Sequence, residues 1–154
     1  FGVERSGAPI QSFVRVSDKD ILSRDHVYNP DILIIQDDSL IGKSNVFSGI
    51  KKSTLVIINS KEKLNNLFVK IKKEKDLPKN FSEKNVLVVD ASKVALEIFK
   101  KNIVNTAILG TLAKIPNLLN LKAIFLAVEE KFQDKGKDII EKNILAIEHT
   151  YNLK

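Results

Sequence analysis

Three short apolar runs constrain this chain more than any other feature: Ile32-Leu33-Ile34-Ile35, Thr54-Leu55-Val56-Ile57-Ile58 and Val86-Leu87-Val88-Val89. None alternates apolar with polar residues, so an extended backbone would carry apolar side chains on both of its sides. Strands of that kind have to be covered on both faces, as the central strands of parallel sheets are. Each run ends in residues that accept hydrogen bonds from the open amides of a starting helix, namely Asp37-Asp38-Ser39, Asn59-Ser60 and Asp90-Ala91-Ser92. Helical spacing then follows. Leu64, Leu67, Phe68 and Ile71 recur at i, i+3, i+4 and i+7, and Val94, Ala95, Ile98 and Phe99 share a face. A loop is expected over 78–84. Asn105-Thr106 is expected to cap a helix over 107–115, stopped by Pro116, in which Ala107, Gly110 and Ala113 permit close backbone approach. Two more helices fit 121–132 and 137–151, the last with an apolar stripe of Ile140, Ile144, Ile147 and Tyr151. Strands alternating with helices in this way predict an α/β chain, a three-layer α/β/α domain with a mostly parallel sheet.

In sheets of this type ligands gather at the carboxyl ends of the strands. Here those ends are Gln36 to Ser39, Asn59-Ser60 and Asp90 to Ser92. The same residues are what helix starts require, because the first amides of every helix lack an internal partner. Capping is the simpler account. Asp37 and Asp38 are adjacent, so on a strand they would point to opposite faces, and they read as a turn and a cap rather than a metal pair. His26, between Asp25 and Val27, reads as a surface-loop histidine, and His149 falls on the polar side of the last helix. Ser6 has no histidine near it in sequence to activate it as a nucleophile. No glycine-rich dinucleotide fingerprint, P-loop, nucleophile elbow or zinc-protease motif occurs in the 154 residues.

Cysteine usage sharpens this. The chain has none, so it supplies no disulfide, no thiolate nucleophile and no thiolate ligand to zinc or an iron–sulfur cluster. Its longest apolar runs fall well short of the roughly 20 residues that span a bilayer, and a cytoplasmic protein without a membrane partner is expected. The formal charge of +6 comes mainly from lysine, with only Arg5, Arg15 and Arg24 as arginines. Residues 61–84 hold eight lysines against Glu62, Glu74, Asp76 and Glu83. Nucleic-acid sites favour arginine forks among stacked aromatics. This stretch has no arginine and reads as a solvated lysine face, with no nucleic-acid partner expected.

The opening segment FGVERSGAPIQSFVRVS is of another kind. Gly2 and Gly7 bracket the charged pair Glu4-Arg5, and Pro9 fixes its own backbone angle. Phe13 and Arg15 then alternate with Val14 and Val16, so a strand is expected over 12–17. Asn29-Pro30 marks a turn. A chain opening at Phe1 without any methionine is expected to be the later part of a larger unit.

Phe1, Gly2, Glu4, Arg5, Gly7, Ala8 and Pro9, followed by Arg15, Ser17 and Asp18, resemble a motif of the gamma subunit of 2-oxoacid:ferredoxin oxidoreductases, especially the pyruvate type. Further landmarks of the resemblance are Val27 to Asp31, Asp37, Leu40, Ile57-Ile58-Asn59, Val89-Asp90-Ala91, Asn105 to Gly110 and Glu141-Lys142-Asn143. Val3 stands where the family has proline, and Ser6 where it has arginine. The family's glycine-rich opening would precede Phe1, so residues 1–154 are expected to be one gamma-type domain lacking its N-terminal part.

The resemblance implies a complex that decarboxylates a 2-oxoacid on thiamine diphosphate with Mg, passes electrons through iron–sulfur clusters to ferredoxin, and loads the acyl group onto coenzyme A. Within it this chain would be an accessory subunit holding none of those cofactors. Catalytic and ferredoxin-type subunits would be its partners. Candidates for a subunit interface or for the approach of coenzyme A are Glu4, Arg5, Ser6, Arg15, Asn59 and Asn105; no catalytic or metal-ligating residue is expected. The alternative is a free-standing α/β module binding a nucleotide or phosphate-bearing ligand at its strand ends.

Overall fold

A computed structural model describes residues 10–23 and 25–153. The three apolar runs form strands β1 (Ile32–Ile35), β2 (Leu55–Asn59) and β3 (Val86–Val89), joined in one parallel sheet in that order. Ile32 lies opposite Leu55, and Val56 opposite Val86. Because successive side chains leave a strand on opposite sides, the sheet feeds two cores. Leu33, Ile35, Val56, Ile58, Val86 and Val88 pack with Phe47, Phe81 and helix α1 (Leu64–Ile71), through Leu67, Phe68 and Ile71. Ile32, Ile34, Ile57, Leu87 and Val89 pack on the other side with α2 (Ala91–Phe99), α3 (Val104–Ala107) and α6 (Lys137–Asn152). Helix α5 (Leu121–Phe132) adds Ile124 and Val128 to a smaller cluster around Ile147 of α6. This is the expected layering, an α/β arrangement with helices on both faces of a parallel sheet.

Full cover on both faces holds for β2 alone. Its Val56, Ile57 and Ile58 are wholly buried, whereas Ile32 to Ile34 of β1 and Leu87-Val88 of β3 are half-buried. Apolar runs without alternation therefore mark membership of the sheet but not a central place in it. The strand expected over 12–17 is absent: residues 10–23 have no regular structure. A strand needs a neighbour to satisfy its backbone, and no described residue supplies one.

The helix expected over 107–115 begins earlier and is broken. It runs as α3, then α4 (Leu109–Leu112), with a single turn residue, Ile108, between them. Thr150 of α6 explains the break. Its Oγ1 donates to the Ala107 carbonyl at 2.5 Å, the acceptor that a continuous helix would offer to the Thr111 amide. The Thr111 amide turns instead to the Ile108 carbonyl, 3.1 Å away. Ile103 takes the N-cap position without a side-chain bond, so Asn105 lies inside α3 rather than ahead of it, and its side chain accepts only from the next amide, Thr106.

The close approach expected of the small residues is found at Gly110. A Cβ there would overlap the Ile147 carbonyl oxygen and Thr150 Oγ1 of α6. So tight a crossing admits only small or short side chains, and it shifts the buried stripe of α6. Asn143, Ala146, Ile147 and Thr150 are buried, Ile140 and Ile144 are half-buried, and Tyr151 is 38% exposed. Among the described residues no helix is long and apolar enough to cross a membrane.

Candidate functional site: the strand-end cleft

The carboxyl ends of the three strands open into a cleft of about 720 Å³ that runs along α2 from Asp90, Ser92 and Lys93 to Leu96, Glu97 and Lys100. Gln36 to Asp38 line it from β1, and Asn59 to Lys61 from β2. Parallel strands all end on the same side, and each chain leaving the sheet must turn there, so polar side chains from distant parts of the sequence meet.

Asn59 ties this region together. It is 6% exposed, and its Nδ2 donates to the Gln36 carbonyl and to Ser92 Oγ, each at 2.9 Å. Its Oδ1 accepts from the Ser92 amide at 3.1 Å. Asn59 thus caps a helix, as its position in the sequence suggests, but the helix is α2, which follows β3. The helix after its own strand, α1, has Lys63 at its N-cap and no side-chain cap. Asp90 Oδ1 accepts from the Lys93 amide at 2.9 Å, completing the first turn of α2. Ser60 Oγ donates to Asp38 Oδ2 and accepts from the Glu62 amide at 3.0 Å. Asp37 Oδ1 accepts from the Ser39 amide at 2.9 Å and caps the single turn Asp38–Leu40. That bonding to Ser39, helped by nearby Lys43, holds the Asp37 carboxyl below the usual carboxylate range against a small opposing effect of burial.

The chemistry of such a cleft is limited. At its head the polar groups are spent on one another: Asn59 and Asp90 accept from the Ser92 and Lys93 amides, which a bound anion would otherwise use. Asp37, Asp38, Asp90 and Glu97 share the lining with Lys61, Lys93 and Lys100, so no one sign of charge prevails. Ser60 has a carboxylate partner but no imidazole. Among the described residues no three acidic, histidine or cysteine side chains converge as a metal site would require. These features disfavour the phosphate-binding alternative.

The remaining candidates lie elsewhere. Arg15 sits on the exposed leading segment, where its Nη2 donates to the Asp25 and His26 carbonyls at 2.9 Å each. Asn105 Oδ1 accepts from the neighbouring Thr106 amide at 2.9 Å and does not line the cleft. Glu4, Arg5 and Ser6 lie outside the described residues. Of the three that are described, only Asn59 reaches the cleft. The sequence reading also misses Glu97, Lys100 and Asn102, which line it from the far end of α2 and just beyond; no local motif marks them, because the course of the helix brings them there.

Comparison with known proteins fits this fold. Residues 1–153 match the family described as pyruvate ferredoxin/flavodoxin oxidoreductase. The chain is 36% identical over 152 residues to the pyruvate/ketoisovalerate oxidoreductases common subunit gamma of Thermococcus kodakarensis, covering 99% of this chain and 76% of that protein. It is 36% identical over 152 residues to pyruvate synthase subunit PorC of Methanocaldococcus jannaschii (99% and 75% covered), and 35% identical over 152 residues to the NADH-dependent phenylglyoxylate dehydrogenase subunit gamma of Aromatoleum evansii (98% and 73%). The crystal structure of pyruvate oxidoreductase subunit PORC from Thermotoga maritima superposes with a TM-score of 0.67 at 26% identity, over 81% of this chain and 64% of that one. The relatives' names span several 2-oxoacids. With a match running nearly end to end and a fold shared with a solved relative, the chain belongs to the pyruvate ferredoxin/flavodoxin oxidoreductase family.

Proposed function

We propose that this chain is the accessory gamma subunit of a cytoplasmic 2-oxoacid:ferredoxin oxidoreductase, with pyruvate as the 2-oxoacid, and that residues 1–154 are a single gamma-type domain of it. The observation that carries this reading is the match of 152 residues to subunits named gamma, in a chain whose sequence contains no cysteine. Iron–sulfur clusters need thiolates, so residues 1–154 hold none of the clusters, and thiamine diphosphate and Mg are assigned to the catalytic subunits. The hydrogen-bonded strand ends, with neither a nucleophile–base pair nor free helix amides at Ser92 and Lys93, support a structural part rather than a catalytic one. Glu4, Arg5, Ser6 and Arg15 are assigned to subunit contact or the approach of coenzyme A. Asn59 is assigned to the frame of the sheet.

Capture of the tagged full-length chain from its native cell tests this. The expected result is co-purification of larger subunits carrying thiamine diphosphate and iron–sulfur absorbance, with pyruvate- and coenzyme A-dependent reduction of ferredoxin. The chain alone should be inactive. Recovery without such subunits, or turnover by the isolated chain, would overturn the proposal.

A further inference from the structure

Among the described residues one buried hydroxyl has no partner: Thr111 Oγ1, on a residue only 2% exposed. A threonine inside a helix ordinarily returns its hydroxyl to the carbonyl three or four residues back. For Thr111 those carbonyls belong to Ile108 and Ala107. The Ile108 carbonyl already accepts from the Thr111 and Leu112 amides, at 3.1 and 3.4 Å. The Ala107 carbonyl is held by Thr150 Oγ1 of α6, and neither donor of Thr111 is bonded to it. A side chain that enters the backbone ladder of a helix in this way is a known cause of a kink.

A second arrangement is within reach. Thr150 Oγ1 also donates to the Ile147 carbonyl of its own helix, at 3.1 Å, and keeps that acceptor when it lets Ala107 go. The Thr111 amide then takes the Ala107 carbonyl and its hydroxyl finds Ala107 or Ile108, making one helix of 104–112. That form leaves no hydroxyl unpaired, whereas the observed form does, at the cost that any unpaired buried group carries. Packing holds the observed form: Gly110 lies against the Ile147 carbonyl and Thr150 Oγ1 so closely that a Cβ would overlap both. The break also stands where two cores meet. Ala107 and Ile108 pack towards the sheet with Ile57 and Val89, and Leu109 and Ala113 pack with Ile124 and Val128.

We infer that the Ala107 carbonyl is a switch point contested by Thr150 and Thr111, and that the joint between α3 and α4 has a broken and a continuous form. Thr150 decides which one is adopted. The orphaned Thr111 hydroxyl works against the packing of Gly110, so the two forms lie close in free energy, the condition for a small change to shift their balance. Straightening carries Leu109 and Ala113 relative to Ala107 and Ile108. The joint is therefore a hinge between the sheet and the α5–α6 pair.

A double-mutant cycle on the full chain, read by denaturant unfolding, tests this. Thr111→Val keeps the shape and removes the orphan, and should raise the folding equilibrium constant at least about fivefold. In a Thr150→Val background Thr111 has an acceptor, so the same change should bring no rise. NMR coupling across hydrogen bonds gives the second readout. Thr150→Val should join the Thr111 amide nitrogen to the Ala107 carbonyl carbon, where the wild type joins it to Ile108. Thr150→Ser, which keeps the hydroxyl, should retain the wild-type coupling. Equal gains from Thr111→Val in both backgrounds, or a Thr150→Val chain still coupled to Ile108, would overturn the inference. So would no gain from Thr111→Val in the wild type, since the hydroxyl would then have a partner such as an enclosed water. Should Thr150→Val fail to fold, the Thr111→Val change decides alone: a gain supports the contested carbonyl, and its absence refutes it.

Discussion

The strand ends and the leading segment carry similar polar residues and use them in opposite ways. At the strand ends, hydrogen bonds reach across the sequence: Asn59 joins Gln36 to Ser92, and Ser60 joins Asp38. Elsewhere in the same body, Thr54 Oγ1 donates to the Pro30 carbonyl at 2.8 Å, and Thr150 bonds Ala107. In the leading segment, Arg15 reaches only ten or eleven residues along, to Asp25 and His26, and no buried side chain stands behind it. The same kinds of side chain thus lock a core in one place and shape an exposed surface in the other. A hydrogen bond contributes strongly where losing it leaves a buried partner unpaired, and weakly where water can replace it.

Substitutions can break this contrast or sharpen it. The largest effect is expected where backbones touch: Gly110→Ala forces a Cβ into α6 and should cost at least about 3 kcal/mol, a fall in melting temperature of roughly 6 to 12 °C. Calorimetry of the full chain measures it, and an unchanged melting point would mean that α4 and α6 are not so close. Asn59→Ala comes next. It strands the Gln36 carbonyl and the Ser92 amide, and denaturant unfolding should register a loss of about 2 kcal/mol.

Asp37→Ala is weaker, about 0.5 to 1 kcal/mol as the loss of an exposed cap, and its sign with pH is fixed. The folded carboxyl has a lowered pKa, so its contribution is whole above the ordinary carboxylate value near 4. It is lost as pH falls through the lowered one. The gap between wild type and Asp37→Ala should therefore be constant from pH 5 upward in a series of melts and close on acidification (about 4 and below). A gap that widens in acid would contradict the Ser39 bond as its cause. The smallest effect belongs to the leading segment: Val16→Ser should change the free chain's stability by no more than about 0.5 kcal/mol. A larger loss would show that the segment is packed in a way its 84% exposure denies.

Much of the molecule was legible from local pattern. The three strands, the helix faces Leu67-Phe68-Ile71 and Val94-Ala95, and the extent of α5 follow from periodicity and capping residues, which act within a few positions of one another. The site was legible only in outline. Its strand-end residues were in view, but Asn59 was read as a cap for the next helix and serves one that begins thirty-two residues later, at Ala91. Asn105 reads as the residue before a helix, but Val104 already belongs to α3, and Asn105 lies inside its first turn, where its side chain accepts only from the adjacent Thr106 amide. The alternation over 12–17 is real in the sequence, yet alternation states a preference for extended backbone and cannot supply the neighbour that a strand requires.

The sequence by itself determined the layers: non-alternating apolar runs between amphipathic helices leave few arrangements other than helices on both faces of a parallel sheet. Only the tertiary structure decided which strand is central, which helix Asn59 caps, where the helix near Ile108 breaks, and which face of α6 is buried. Each of these turns on a pair of groups far apart in the chain, such as Gly110 against Ile147 or Thr150 against Ala107. Local preference is set by a residue and its near neighbours, whereas long-range pairing is set by which surfaces the whole fold brings within contact, and no window of sequence contains that information.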